Sequence, residues 1–212
     1  MKKILFLVLG ILLLAKNYNL PKSVLFSSHS WINYRDKNVE KQNFDYSCGS
    51  ASLATILHYF YNKNIKEKDV LKYFFKNKKN DEVSFLDLSN AAKYFGFKAE
   101  GIEIKNINLL KKLKIPVIIY LNLGGFYHFS VLKKVKNYKV YLADPTFGNT
   151  VLPFKYFEKI FFLKKGYMLL ILPKNKNIDI NWDFVKIRNG QDDKIIDFLK
   201  FKNDIPFPFR GK

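Results

Sequence analysis

Cysteine is nearly absent from this sequence: Cys48 stands alone among 212 residues. A single cysteine cannot close an internal disulfide, so cysteine usage carries no sign of an oxidising compartment. Histidine is almost as scarce, with three residues, and the acidic residues are outnumbered, 18 against 37 Lys and Arg, for a formal charge of +19. Zinc-ligand spacing, an RNP-like aromatic motif and a basic-region heptad are all missing, so no metal site, no cofactor and no nucleic-acid partner are expected. Long apolar runs are missing too. The longest, Ile4 to Ala15, reaches about 18 Å as a helix, short of the roughly 30 Å hydrocarbon core. Internal repeats are absent, which excludes a solenoid.

What is present points to one well-cored domain. Hydrophobic residues make up 48% of the chain and aromatics 17%, enough to exclude global disorder. Lysines are scattered through nearly every element, and the basic surface reads as a solvated one. Met1-Lys2-Lys3 ahead of Ile4 to Ala15 has the charged start and short apolar run of a secretory signal. Export across the cytoplasmic membrane to the periplasm is therefore expected, with a membrane anchor if the segment is retained. Residues 1–15 are read as this signal, 16–35 as a lead-in with His29 and Trp31, 36–172 as the domain, and 173–212 as an extension that straps the domain or engages a partner.

The apolar spacing predicts an amphipathic helix from Cys48 to about Asn62, with Ser47 as its cap. Two more helices are expected over Lys66 to Phe75 and Phe85 to Tyr94, the latter opened by Ser84 and Asp87 and stopped by Gly96. Shorter periods then take over. Strands are expected at Phe97 to Ile104, Val117 to Leu123, Tyr127 to Val135, Tyr138 to Ala143, Thr150 to Leu152 and Gly166 to Leu172, with short helical pieces at Asn106 to Lys114 and Phe154 to Phe161. Helices first and a mainly antiparallel sheet later make an α+β class.

The lone cysteine sits where a helix begins, and thiol chemistry needs the thiolate, which a helix N-terminus and a nearby imidazolium both favour. His58 lies ten residues along the same helix, about 15 Å away, too far to serve. His29 lies in a serine-rich lead-in, so His128 remains as the base. A hairpin turning at Lys136-Asn137 pairs residue 128 with 145 and sets Asp144 beside His128, where a carboxylate can accept the imidazole Nδ1 hydrogen. Gln42 is the candidate side-chain donor that joins the Cys48 backbone N–H in stabilising an oxyanion. Asp45, Gly49 and Ser50 are read as substrate-side residues, the small ones leaving room for a substrate backbone.

Gln42, Asp45-Tyr46-Ser47-Cys48-Gly49-Ser50-Ala51-Ser52-Leu53, Tyr127-His128-Phe129-Ser130-Val131 and Ala143-Asp144-Pro145 resemble the bacteriocin-processing, double-glycine-leader cysteine peptidases. The resemblance covers roughly residues 36 to 172. It implies a papain-like fold, Cys48 as nucleophile, His128 as base, Asp144 as its orienter, Gln42 as oxyanion donor, and a peptide or protein substrate. Family members often open an ATP-driven exporter, but these 212 residues hold neither a transmembrane bundle nor a Gly-Lys-Ser/Thr phosphate loop. The chain is instead similar to free-standing periplasmic members linked to secretion of amyloid or surface proteins, which implies a secretion-system or membrane partner. Two other functions stay open: an inert papain-like domain that holds a peptide during secretion, and a thiol acyltransferase or amidase.

Overall fold

Two apolar layers sandwich one twisted sheet, and the period-two alternation of its strands decides which side chain enters which layer. In this computed structural model the described residues are 31–77, 83–162, 165–175 and 177–187, together with the backbone of 196–197. The expected signal at 1–15, the lead-in to residue 30 with His29, and the far end of the 173–212 extension lie outside them. Among the described residues no helix is long and apolar enough to cross a membrane.

The strands are β1 (Phe97–Ile104), β2 (Val117–Asn122), β3 (Tyr127–Lys136), β4 (Lys139–Asp144), β5 (Gly148–Pro153), β6 (Gly166–Pro173) and β7 (Ile196–Asp197), in the order β1-β6-β2-β3-β4-β5-β7. Every pairing is antiparallel except β5 with β7. In β2, Ile118 joins one core and Val117 and Ile119 the other, so the strand is buried on both faces and reads as a continuous apolar run. The first core is shared with α2 (Cys48–Thr55), α3 (Glu67–Asn77) and α4 (Phe85–Tyr94); the second is closed by α5 (Phe154–Phe161) and a 3-10 segment at Ile107–Lys112. A short α1 (Trp31–Arg35) precedes them. Helices packed on a mainly antiparallel sheet make the α+β arrangement the residue pattern predicts.

The helix expected from Cys48 to Asn62 is shorter and less amphipathic. Its α-helical part ends at Thr55 and runs on as a π-turn over Ile56–Phe60, with the Tyr61 N–H reaching back to the Ile56 carbonyl at 3.1 Å. All eight residues of α2 are buried, because Gly49, Ser50, Ala51, Ser52 and Ala54 are small enough for neighbours to close in on every side. Ser47 does not cap this helix. By contrast Ser84 and Asp87 form the reciprocal capping box at the start of α4.

The hairpin turn also sits one residue further on. Asn137 and Tyr138, both at positive φ, make the two-residue turn that closes the Lys136–Lys139 pair. A bulge between Leu132 and Lys134 then shifts the register, so that Val131 faces Ala143. Continuing this ladder sets Asp144 against Ser130, on the same face as His128.

Contacts run past the expected domain limits at both ends. Asn149 Nδ2 donates to the carbonyls of Arg35 and Lys37 at 2.9 and 2.7 Å. Beyond β6, Ile178 and Ile180 pack on the first core, Phe184 and Val185 are buried in it, and the Asn181 N–H donates to the Phe60 carbonyl at 2.8 Å. This part of the extension lies as a strap across the π-turn.

Candidate active site

Cys48 is the first residue of α2 and is only 8% exposed. Gly49 sets how closely that helix approaches the sheet. A Cβ there would meet Phe129 Cδ2 at 3.2 Å and Leu88 Cδ2 at 3.4 Å, so glycine is what lets the thiol reach the start of β3. Gly49 therefore serves packing, and both it and Ser50, expected on the substrate side, are buried. Asp45 is exposed on the loop that leads into the helix.

Three groups converge. The imidazole of His128 donates from Nε2 to Asp144 Oδ2 at 2.9 Å, with side-chain exposures of 12% and 4%. The carboxylate thus holds Nε2, where Nδ1 was expected, and Nδ1 is the nitrogen left for the thiol. The Cys48 thiol and the His128 imidazole act on one another's titration, and the Phe129 backbone N–H also favours the thiolate. The other Asp144 oxygen accepts the N–H groups of Thr146 and Phe147 at 2.9 and 3.0 Å. One carboxylate orients the base and closes the turn after Pro145 at once.

The electrostatics follow from this geometry. Burial pushes the Cys48 thiol up, but the hydrogen bond and charge of His128 and the Phe129 N–H outweigh it, and the net displacement is downward. Burial pulls His128 down, yet the charge and hydrogen bond of Asp144, joined by Cys48, push it up to about 10. Burial raises Asp144 and the imidazolium lowers it further, so its carboxyl lies below the ordinary range. The Cys48 and His128 shifts both run toward a thiolate beside an imidazolium.

Gln42 ties the two sides of the site together. Its backbone N–H donates to the Pro145 carbonyl at 3.2 Å, its Oε1 accepts from Thr146 Oγ1 at 2.8 Å, and its Nε2 donates to the Phe44 carbonyl at 3.1 Å. That nitrogen carries two hydrogens, so one remains for a ligand. Exposed aromatics flank the site, Phe44 stacked on Tyr46 and Tyr127 stacked on Tyr120.

His58, set aside on distance, is engaged elsewhere: its ring contacts the Lys63 carbonyl and Lys66 Nζ. Glu67 was not singled out from the sequence. An acidic residue in the first turn of a helix looks like an ordinary solvated one, and no sequence signal marks it as buried. Among the described residues no group of three His, Cys, Asp or Glu side chains gathers to hold a metal ion.

Comparison with known proteins gives a consistent picture. The model of the Peptidase C39 family matches residues 36–176. A probable functional amyloid protease, FapD of Pseudomonas fluorescens, is 36% identical over 120 residues, covering 54% of this chain and 53% of that protein. The chain spans about half the length of the curated relatives it matches. Among solved structures, a double glycine motif protease from an AMS/PCAT transporter in complex with the leader peptide is 31% identical, with a TM-score of 0.55 over 64% of this chain and 91% of that one. The peptidase domain of Streptococcus ComA, 20% identical with a TM-score of 0.56 over 64% of this chain and 98% of that one, shares the fold.

Proposed function

The chain belongs to the Peptidase C39 family, papain-like in fold, and from that premise we propose that it is a cysteine endopeptidase cleaving a peptide bond in an exported polypeptide. The observation that carries the reading is the 2.9 Å bond between His128 and Asp144, with the Cys48 thiol drawn down by the same imidazole. The Cys48 thiolate attacks the scissile carbonyl carbon, and the carbonyl oxygen gains charge within reach of the Cys48 backbone N–H and the second Gln42 amide hydrogen. The imidazolium passes its proton to the leaving amine, the C–N bond breaks, and an acyl-thioester remains. Neutral His128 then takes a proton from water, whose oxygen attacks the thioester and expels the thiolate. Asp144 holds the imidazole orientation through both halves.

Export to the periplasm is part of the proposal, supported by Met1-Lys2-Lys3 and the apolar run behind it and by the kinship with an amyloid-system protease; retention of that run would anchor the chain to the membrane. A secretion-system component is the partner this reading implies.

A quenched peptide with a Gly-Gly pair before the scissile bond is the first probe, chosen from the solved double glycine motif relative. Cleavage by the wild-type chain, abolished in Cys48→Ala and His128→Ala while both stay folded, is the expected result. Retained turnover in either variant contradicts the assignment. Efficient competition of added amines with water for the acyl-enzyme would redirect it to acyl transfer.

A further inference from the structure

Glu67 opens α3 and is 2% exposed. Burying a carboxylate is costly unless donors surround it, and Glu67 makes no ion pair among the described residues. Its donors all come from the stretch that leads to the nucleophile. The Asn43 N–H reaches Oε1 at 2.9 Å, Asn43 Nδ2 reaches Oε2, and Ser47 Oγ donates to Oε1 at 2.6 Å. Ser47 is thereby withdrawn from helix capping, and its oxygen accepts the Phe44 N–H at 3.1 Å. The Phe44 carbonyl in turn accepts the Ser47 N–H at 3.0 Å and Gln42 Nε2 at 3.1 Å. The chain of bonds runs from Glu67 through Ser47 and Phe44 to the Gln42 amide on one side, and through Ser47 directly to the Cys48 backbone on the other.

We propose that Glu67 is a positioning residue for the oxyanion site: its buried carboxylate fixes the turn at residues 43–47 so that the Gln42 amide and the Cys48 N–H converge on one point. The inference rests on the peptidase reading above. It separates two tasks within one site, since the thiolate depends on His128 and Asp144, whereas the oxyanion donors depend on Glu67. Replacing its carboxylate by an amide removes the charge and one acceptor oxygen, so the Asn43 amide or the Ser47 hydroxyl must turn over to keep every donor paired. The turn loosens while the Cys48–His128 pair keeps its partners.

The test compares wild type, Glu67→Gln, Gln42→Ala and the double variant of the full chain, with the quenched Gly-Gly peptide for turnover and iodoacetamide for Cys48 labelling. Glu67→Gln is expected to lower kcat about 10- to 100-fold, part of what an oxyanion donor supplies. KM and the labelling rate should stay within about twofold, a split that general loosening of the domain would not give. In the Gln42→Ala background the same change should cost less than it does in the wild type, because one of the two donors that Glu67 positions is already gone. Unchanged kcat in Glu67→Gln, full multiplication of the two losses, or labelling that falls in step with kcat each overturns the proposal. Should Glu67→Gln fail to fold, Asn43→Ala removes the side-chain bond to Glu67 Oε2 from the exposed side and keeps the backbone one. A kcat about three- to tenfold lower with unchanged labelling then supports the proposal, and an unchanged kcat refutes it. A wild-type chain that labels at Cys48 yet cleaves nothing overturns the peptidase reading, and this inference with it, which distinguishes that failure from one confined to Glu67.

Discussion

His128 and Asp144 ride on adjacent strands of one sheet, whereas Gln42 and Cys48 ride on a loop and a helix start whose hydrogen bonds run to a side chain twenty residues away. The strand side inherits its geometry from sheet register, which many backbone bonds enforce together. The loop side has no ladder beneath it. It depends on a buried carboxylate, a few side-chain bonds and the close approach allowed by Gly49. Under the proposed mechanism, a site built this way concentrates proton chemistry on the rigid side and oxyanion geometry on the side that side chains must hold.

Changes to the strand side should give the largest losses. Asp144→Asn keeps the shape but exchanges the charge that holds the imidazolium, and kcat should fall by about 10³- to 10⁴-fold. Cys48 labelling at neutral pH should slow with it, because the raised His128 value rests on Asp144. Fast labelling in that variant would show that Asp144 only closes its turn. On the loop side, Gln42→Ala should lower kcat by about 10²- to 10³-fold and leave labelling at the wild-type rate. A matching loss of labelling would erase the division between the two sides.

A smaller and different effect is expected away from both. Phe184, the buried ring of the strap, lies beside the Phe60 ring and beneath Lys133 Nζ at 4.8 Å. Phe184→Ala should cost about 3 kcal/mol of stability in denaturant unfolding, with kcat within about twofold of wild type. A large kcat loss would mean that the strap shapes the site as well as the core.

The strand side was the more legible in the sequence. Only three histidines exist, and counting residues about a turn placed Asp144 near His128 although the turn was assigned one residue early. Moving the turn by one residue shifts the pairing by two, the bulge near Lys133 returns one, and Asp144 ends as a diagonal neighbour of His128 on the same face, still within reach of the imidazole. The ring nitrogen was misassigned, because strand register fixes a side chain's face and not its rotamer. The loop side was legible only in part. Cys48 and Gln42 stood out by type and spacing, but Ser47 looked like a cap and Glu67 like a solvated helix residue; only tertiary burial pairs them. The all-round burial of α2 was hidden for a related reason, since small residues read as permissive spacers and here serve close packing.

The central claim is that Cys48 is held as a thiolate by His128, and the pH dependence of Cys48 alkylation tests it most directly. A folded-state value raised for His128 means that its stabilising charge is fully present below its ordinary value of 6.5 and is lost as pH rises through about 10. Asp144, lowered, contributes above its ordinary range and loses that contribution in acid. Wild-type labelling should therefore already be fast at neutral pH, with a midpoint below the ordinary thiol value, and His128→Ala should move that midpoint upward. Wild-type labelling that titrates near pH 8.5, as a free peptide thiol does at about that value, and is unmoved by His128→Ala would contradict the account.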